Sequence, residues 1–175
     1  MSVKITYFAH GSTKANEEGL VDNIDYSLSE LGIEQSINQG NLVKNQDFDL
    51  VITSDFTRAI QTAEIMFGDR NIERLQDKRL REVKVGTYNK IDDTLNLKTP
   101  FVGGGESYLQ VEVRIKDFLD DMKEKYDGKH IAIVTHRIPQ LSFEKIMNHK
   151  TWEEAIAEDW RKRKAWQPGW EYILN

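Results

Sequence analysis

The 175-residue sequence predicts an α/β fold, a three-layer sandwich with a mostly parallel central sheet and helices on both faces. Three observations point there. The apolar runs at 4–9, 50–53 and 130–135 are short and rich in β-branched or aromatic residues, as buried strands are. Segments with helical periodicity or helix caps separate them, and strands alternating with helices imply parallel pairing through crossovers. Each run also ends abruptly in polar residues: His10-Gly11-Ser12-Thr13, Ser54-Asp55, and Thr135-His136-Arg137. In sheets of this class, ligands bind beyond the carboxyl ends of the strands.

Taken in order, Lys4 to Ala9 reads as a buried first strand. Ser29 is placed to N-cap a helix running to about Lys44, with Gly32 and Gly40 weakening its propensity. After the strand at Leu50-Val51-Ile52-Thr53, Ser54-Asp55 opens a helix to about Phe67, which Gly68 is placed to stop. The clearest helix follows Gly103-Gly104-Gly105. There Tyr108, Val111, Ile115, Phe118, Leu119, Met122 and Tyr126 recur mostly at spacings of three and four, so one face is buried. Asp127-Gly128 ends it ahead of the strand from His130 to Thr135. A helix from about Pro139 to Met147 follows, and Trp170 to Leu174 is a final strand. No repeat or Pro/Ser-rich linker divides the chain, so residues 1–175 are expected to form a single domain.

Composition narrows the function. There is no cysteine, which removes disulfides, thiolate metal sites and a cysteine nucleophile. A net charge of −5 argues against nonspecific binding of nucleic acid, which needs a basic surface. A local basic pocket in an acidic protein still suits a small anion. No segment approaches the roughly 20 apolar residues that span a membrane, and the apolar run near the N-terminus is too short for a signal peptide. The expectation is a cytoplasmic protein with neither nucleic-acid nor membrane partners. The sequence carries no signal for oligomeric state.

The three polar strand ends bring together His10, Arg58, His136, Arg137 and several hydroxyls. That set suits a phosphoryl group. Guanidiniums pair with its oxygens, hydroxyls and loop amides donate hydrogen bonds, and an imidazole can attack phosphorus. Glu82, in Leu80-Arg81-Glu82-Val83, is a candidate proton donor.

The set is ordered along most of the chain. It comprises His10-Gly11 with Thr13 and Asn16, then Leu28-Ser29-Glu30-Leu31-Gly32, then Ser54-Asp55-Phe56-Thr57-Arg58-Ala59-Ile60-Gln61-Thr62-Ala63. Leu80-Arg81-Glu82, Gly104-Gly105-Glu106-Ser107 with Arg114, and Val134-Thr135-His136 complete it. In this the chain resembles the histidine phosphatases, the phosphoglycerate mutase-like superfamily. The resemblance implies that His10 becomes phosphohistidine and that Glu82 protonates the leaving oxygen and later activates water. It implies that Arg58 and His136 hold the phosphoryl group, with Thr13 and Asn16 lining the pocket. It implies a phosphatase of small phosphorylated molecules, with no cofactor and no metal, because cationic side chains neutralise the oxygens.

One position departs from the pattern. The family usually carries arginine just before its nucleophilic histidine, and Ala9 stands there. Arg137 follows the second histidine, where small residues are usual. The two strand ends are neighbours in this family, about 4.8 Å apart, so Arg137 is expected to act as a relocated phosphate clamp.

Other polar residues have simpler readings. His130 and His149 are expected to be structural or solvent-facing, and Arg81 and Arg114 to form ion pairs. Arg58 has the alternative of a surface pair with Asp55. Glu106 competes with Glu82 for the acid role, but reads better as a first-turn carboxylate at a helix N-terminus. Trp160-Arg161-Lys162-Arg163-Lys164-Ala165-Trp166 reads as a solvated segment rather than a nucleic-acid patch. Trp166-Gln167-Pro168-Gly169-Trp170 could form a lip over the crevice. Two competing functions remain. One is a mutase, against which stand the short chain and the residues from Val83 to Asn89. The other is a non-catalytic phospho-ligand-binding protein, against which stand the intact His10, Glu82 and His136.

Overall fold

The computed structural model of the protein describes residues 2–21, 23–87, 91–163 and 169–175. Strands β1 (Val3–Ala9), β2 (Leu50–Thr53), β3 (Glu73–Gln76), β4 (His130–Thr135) and β5 (Trp170–Leu174) form one sheet in the order β3-β2-β4-β1-β5. Pairings among the first four are parallel, and β5 runs antiparallel to β1. Seven helices flank the sheet among the described residues. They are α1 (Lys14–Glu18), α2 (Glu30–Val43), α3 (Thr57–Phe67), α4 (Asp93–Lys98), α5 (Tyr108–Lys125), α6 (Arg137–Met147) and α7 (Trp152–Ala157).

The two-residue period of the strands divides the core into two layers. On one side Ile5, Tyr7, Ile52, Ile131 and Ile133 pack with Val111, Ile115 and Phe118 of α5 and Leu141 and Phe143 of α6. On the other, Phe8, Val51, Ala132 and Val134 pack with Val43 of α2 and Ala59, Ala63 and Phe67 of α3. The three expected layers are therefore present. Ser29 caps α2 by accepting from Gly32 N–H, as expected.

Several boundaries move, each for a physical reason. The helix expected from Ser54-Asp55 begins at Thr57, because Ser54 is drawn toward His136 and Asp55 toward Arg81. The helix expected from Pro139 begins two residues earlier, at Arg137. Proline is tolerated in a first turn, where backbone donors lack helical partners. Here the Glu82 carboxylate takes the amides of Arg137 and Ile138. Strand β3 gives no apolar signal, since its four residues are all exposed. The short helices α1, α4 and α7 rest on caps at Thr13, Asp92 and Thr151 rather than on long apolar stripes. No helix among the described residues is long and apolar enough to cross a membrane.

Candidate active site

A cavity of about 830 Å³ opens at the carboxyl ends of β1, β2 and β4, and His10, Arg58, Glu82 and Arg161 are among its walls. Ala9 pairs with Thr135 in the β1–β4 register, so His10 and His136 emerge side by side. Their rings meet edge to face, 4.9 Å between centroids. His136 is fully buried behind His10 and does not itself wall the cavity.

Two hydrogen bonds assign the His10 tautomer. Nδ1 lies 2.6 Å from Gly11 O, and a carbonyl only accepts, so Nδ1 carries the hydrogen. Arg58 Nε donates to the lone pair on Nε2 at 3.2 Å. Nε2 is thus the unprotonated ring nitrogen, its lone pair occupied by the arginine hydrogen bond. Burial, then the Arg58 charge, pushes the His10 pKa down to about 3, which keeps the ring neutral. The same two causes hold His136 well below the ordinary range. Its Nε2 is 2.9 Å from Ser54 Oγ, and its buried Nδ1 has no hydrogen-bond partner among the described residues.

The loop that carries His10 is anchored by close backbone approach. A side chain at Gly11 would place Cβ 2.3 Å from Gly32 O, and one at Gly32 would place it 2.0 Å from Ser12 O. Glycine at both positions lets the loop seat against the start of α2. Its amides are consumed in doing so. Gly11 N–H donates to Thr62 Oγ1, Ser12 N–H to Gln35 Oε1, and Thr13 N–H to Asn16 Oδ1. The expectation that loop amides serve the phosphoryl group is therefore corrected. Thr13 and Asn16 do line the cavity, but their reciprocal capping box uses the Thr13 hydroxyl and the Asn16 carbonyl oxygen.

Arg58, on the first turn of α3, is half-buried. Its guanidinium stands over the Phe56 ring at 4.8 Å, and Nη1 is 3.7 Å from Asp25 Oδ1. Asp25 is a carboxylate neighbour of Arg58, whereas Asp55 accepts from Nε and Nη2 of Arg81. Glu82 is held by three amides, those of Val83, Arg137 and Ile138, which fix its carboxylate at the cavity wall against the start of α6. Glu106 precedes the α5 N-cap Ser107 and binds Arg114 at 3.0 Å, so it is an ion-pair partner rather than a first-turn carboxylate.

Arg137 overturns the clamp expectation. Its Nη1 and Nη2 donate to Asp93 at 3.0 and 2.9 Å, and its Nε donates to Asp159 at 2.6 Å. Although Arg137 borders the cavity, three of its five N–H donors and its charge are committed to these two carboxylates. Arg161 also departs from its reading as solvated: it is half-buried and walls the cavity. Its sequence signal was hidden in a basic run. Residues 88–89, part of the segment weighed against a mutase, and 166–168, most of the expected lip, lie outside the described residues. Among the described residues no group of three or more His, Asp and Glu side chains could hold a metal ion.

The family model of the histidine phosphatase superfamily (branch 1) matches residues 7–142. The chain belongs to that superfamily. It is 36% identical over 134 residues, 66% of this chain and 48% of the relative, to fructose-2,6-bisphosphatase TIGAR of Xenopus tropicalis. Against adenosylcobalamin/alpha-ribazole phosphatase of Escherichia coli K12 it is 25% identical over 150 residues, 77% of this chain and 74% of the relative. The chain spans about half the length of the fructose-2,6-bisphosphatases it matches. In fold it is similar to Bacillus stearothermophilus YhfR, with TM-score 0.78, 24% identity, and 87% and 83% of the two chains covered.

The two depressed histidines make stability pH-dependent with a definite sign. Their folded pKa values lie below the ordinary histidine value of about 6.5, so the unfolded chain binds protons first as pH falls. The stability is fully present above about 6.5 and declines from there toward about 3. The urea midpoint of the free protein is expected to drop between pH 7.5 and 5, above the main carboxylate range. A flat or rising midpoint across that window would contradict the burial of neutral histidines.

Proposed function

We propose that the protein is a phosphomonoesterase of small phosphorylated molecules that works through a phosphohistidine on His10 and needs no metal. The observation that carries this reading is the His10 tautomer, with Nε2 unprotonated beside Arg58 at the mouth of the cavity. His10 Nε2 attacks phosphorus as the bond to the leaving oxygen breaks, and Arg58 shifts from Nε2 to a phosphoryl oxygen. Glu82 delivers a proton to the leaving oxygen, then takes one from the water that releases phosphate. His136, packed edge to face against His10, backs the nucleophile's ring from behind the cavity wall. The cavity walls combine Lys78 and Lys84 with Leu20, Val21 and Ile91, so the organic part of the substrate meets both charge and apolar surface.

The test is hydrolysis of p-nitrophenyl phosphate and an alkyl phosphate in the presence of EDTA. Turnover of both is expected to survive the chelator. Glu82→Gln should slow the alkyl ester by about 10²–10⁴ and the nitrophenyl ester much less, because nitrophenolate leaves without a proton. Equal slowing of the two esters would remove Glu82 from the acid role. Loss of activity in EDTA that a divalent cation restores would remove the metal-free mechanism.

A further inference from the structure

Position 9 is alanine and Arg137 is bound to carboxylates, so the guanidinium that would join Arg58 at the phosphoryl oxygens must come from elsewhere. We propose that Arg161 supplies it, with Asp159 and Arg137 as the frame that positions it. The inference rests on the phosphatase reading for its chemistry, but its geometry stands separately.

Topology brings Arg161 to the required place. Strand β5 is antiparallel to β1, with Trp170 opposite Tyr7, so β5 begins near the end of β1 that carries Ala9 and His10. The approach is close: a Cβ at Gly169 would stand 3.0 Å from Tyr7 O and 3.2 Å from the Phe8 ring. Arg161 sits on the short turn Trp160–Arg163 that precedes this segment, and it shares the cavity wall with His10, Arg58 and Glu82.

The turn is held by a buried acid. Asp159, only 3% exposed, accepts from Arg161 N–H at 3.1 Å through one oxygen and from Arg137 Nε at 2.6 Å through the other. Trp160 packs beneath the Arg161 guanidinium at 4.7 Å and against Trp170 at 6.2 Å. Arg137 takes the short bond to Asp159. Arg161 Nη1 lies 3.5 Å from Asp159 Oδ1 and is buried with no hydrogen-bond partner among the described residues. That nitrogen faces Asp159, while the rest of the side chain walls the cavity beside His10 and Arg58, where a guanidinium suits an oxyanion. The electrostatics agree: the Arg161 charge contributes to lowering both His10 and His136, and Glu82 acts on Arg161 in turn. Burial holds Arg161 itself below the ordinary arginine range.

The experiment compares the parent chain with Arg161→Ala, Ala9→Arg and the double variant. It reads binding of inorganic phosphate by calorimetry and turnover of p-nitrophenyl phosphate, with near-ultraviolet circular dichroism as the fold check. Arg161→Ala is expected to lower turnover by about 10²–10³ and to weaken phosphate binding by about tenfold or more. Ala9→Arg should restore part of both in that variant and add little to the parent, a coupling that a merely structural Arg161 would not produce. Lys162→Ala, which removes an exposed charge from the same turn, should change neither reading. Should Arg161→Ala fail to fold, Arg161→Gln keeps the stem and loses the charge, and the same values apply. Parent-like turnover and binding in the Arg161 variant, additive effects at positions 9 and 161, or a parent that binds no phosphate would each overturn the proposal. If the parent binds phosphate but hydrolyses no ester, the phosphatase reading fails and the binding cycle alone decides the role of Arg161.

Discussion

His10→Ala is expected to lower turnover of p-nitrophenyl phosphate by on the order of 10⁴–10⁶, the scale on which removing a catalytic nucleophile acts. No neighbouring group stands ready to replace it. His136 is fully buried, tied to Ser54 through Nε2, and adds no surface to the cavity. The fold should survive, because His10 is half-buried, its side chain bonds to Gly11 O and Arg58, and its backbone bond to Thr135 O is untouched by the substitution. The variant is therefore expected to bind inorganic phosphate while losing the acid-labile label that the parent acquires from a radiolabelled phosphomonoester. Turnover within about tenfold of the parent would displace His10 as the nucleophile and favour direct attack by water.

The parts of the site that local sequence specifies were legible, and the parts made by long-range pairing were not. A strand that ends in His10-Gly11 states where an imidazole emerges, because strand direction and the sheet's carboxyl edge follow from the apolar run. The same holds for Arg58 on the first turn of α3 and for His136 after β4. What Arg137 does was not readable. Its role depends on Asp93 and Asp159, 44 and 22 residues away, which meet it only after α4 and the 160–163 turn have packed. Arg161 failed for the complementary reason. In a run of lysines and arginines it looked like a solvated face, and only the buried Asp159 and the antiparallel entry of β5 turn it toward the cavity. The fold followed a similar division. Core strands and α5 announced themselves by apolar pattern, whereas β3 is an exposed edge whose place is fixed by pairing with β2.

Arg137→Ala separates the two readings of that residue by what it damages. As a phosphate clamp, Arg137 would be dispensable to folding and its loss would appear in turnover alone. The geometry instead predicts a stability defect. The variant leaves the Asp159 side chain, 1% exposed, without its short hydrogen bond, and leaves Asp93 without both of its guanidinium donors. Breaking a buried ion pair from one side typically costs about 3–5 kcal/mol, a large share of the roughly 5–15 kcal/mol that holds a domain folded. Part of this is relieved because Asp93 is 24% exposed and still accepts from Tyr108, so the lower end of the range is expected. Asp159→Ala should be costly too, since it strands the guanidinium, and the double variant should lose less than the sum of the two. Urea denaturation of the four proteins without substrate reads the cycle directly. A loss below about 1 kcal/mol in Arg137→Ala, with turnover nevertheless abolished, would return Arg137 to the phosphoryl group and remove the frame on which Arg161 depends.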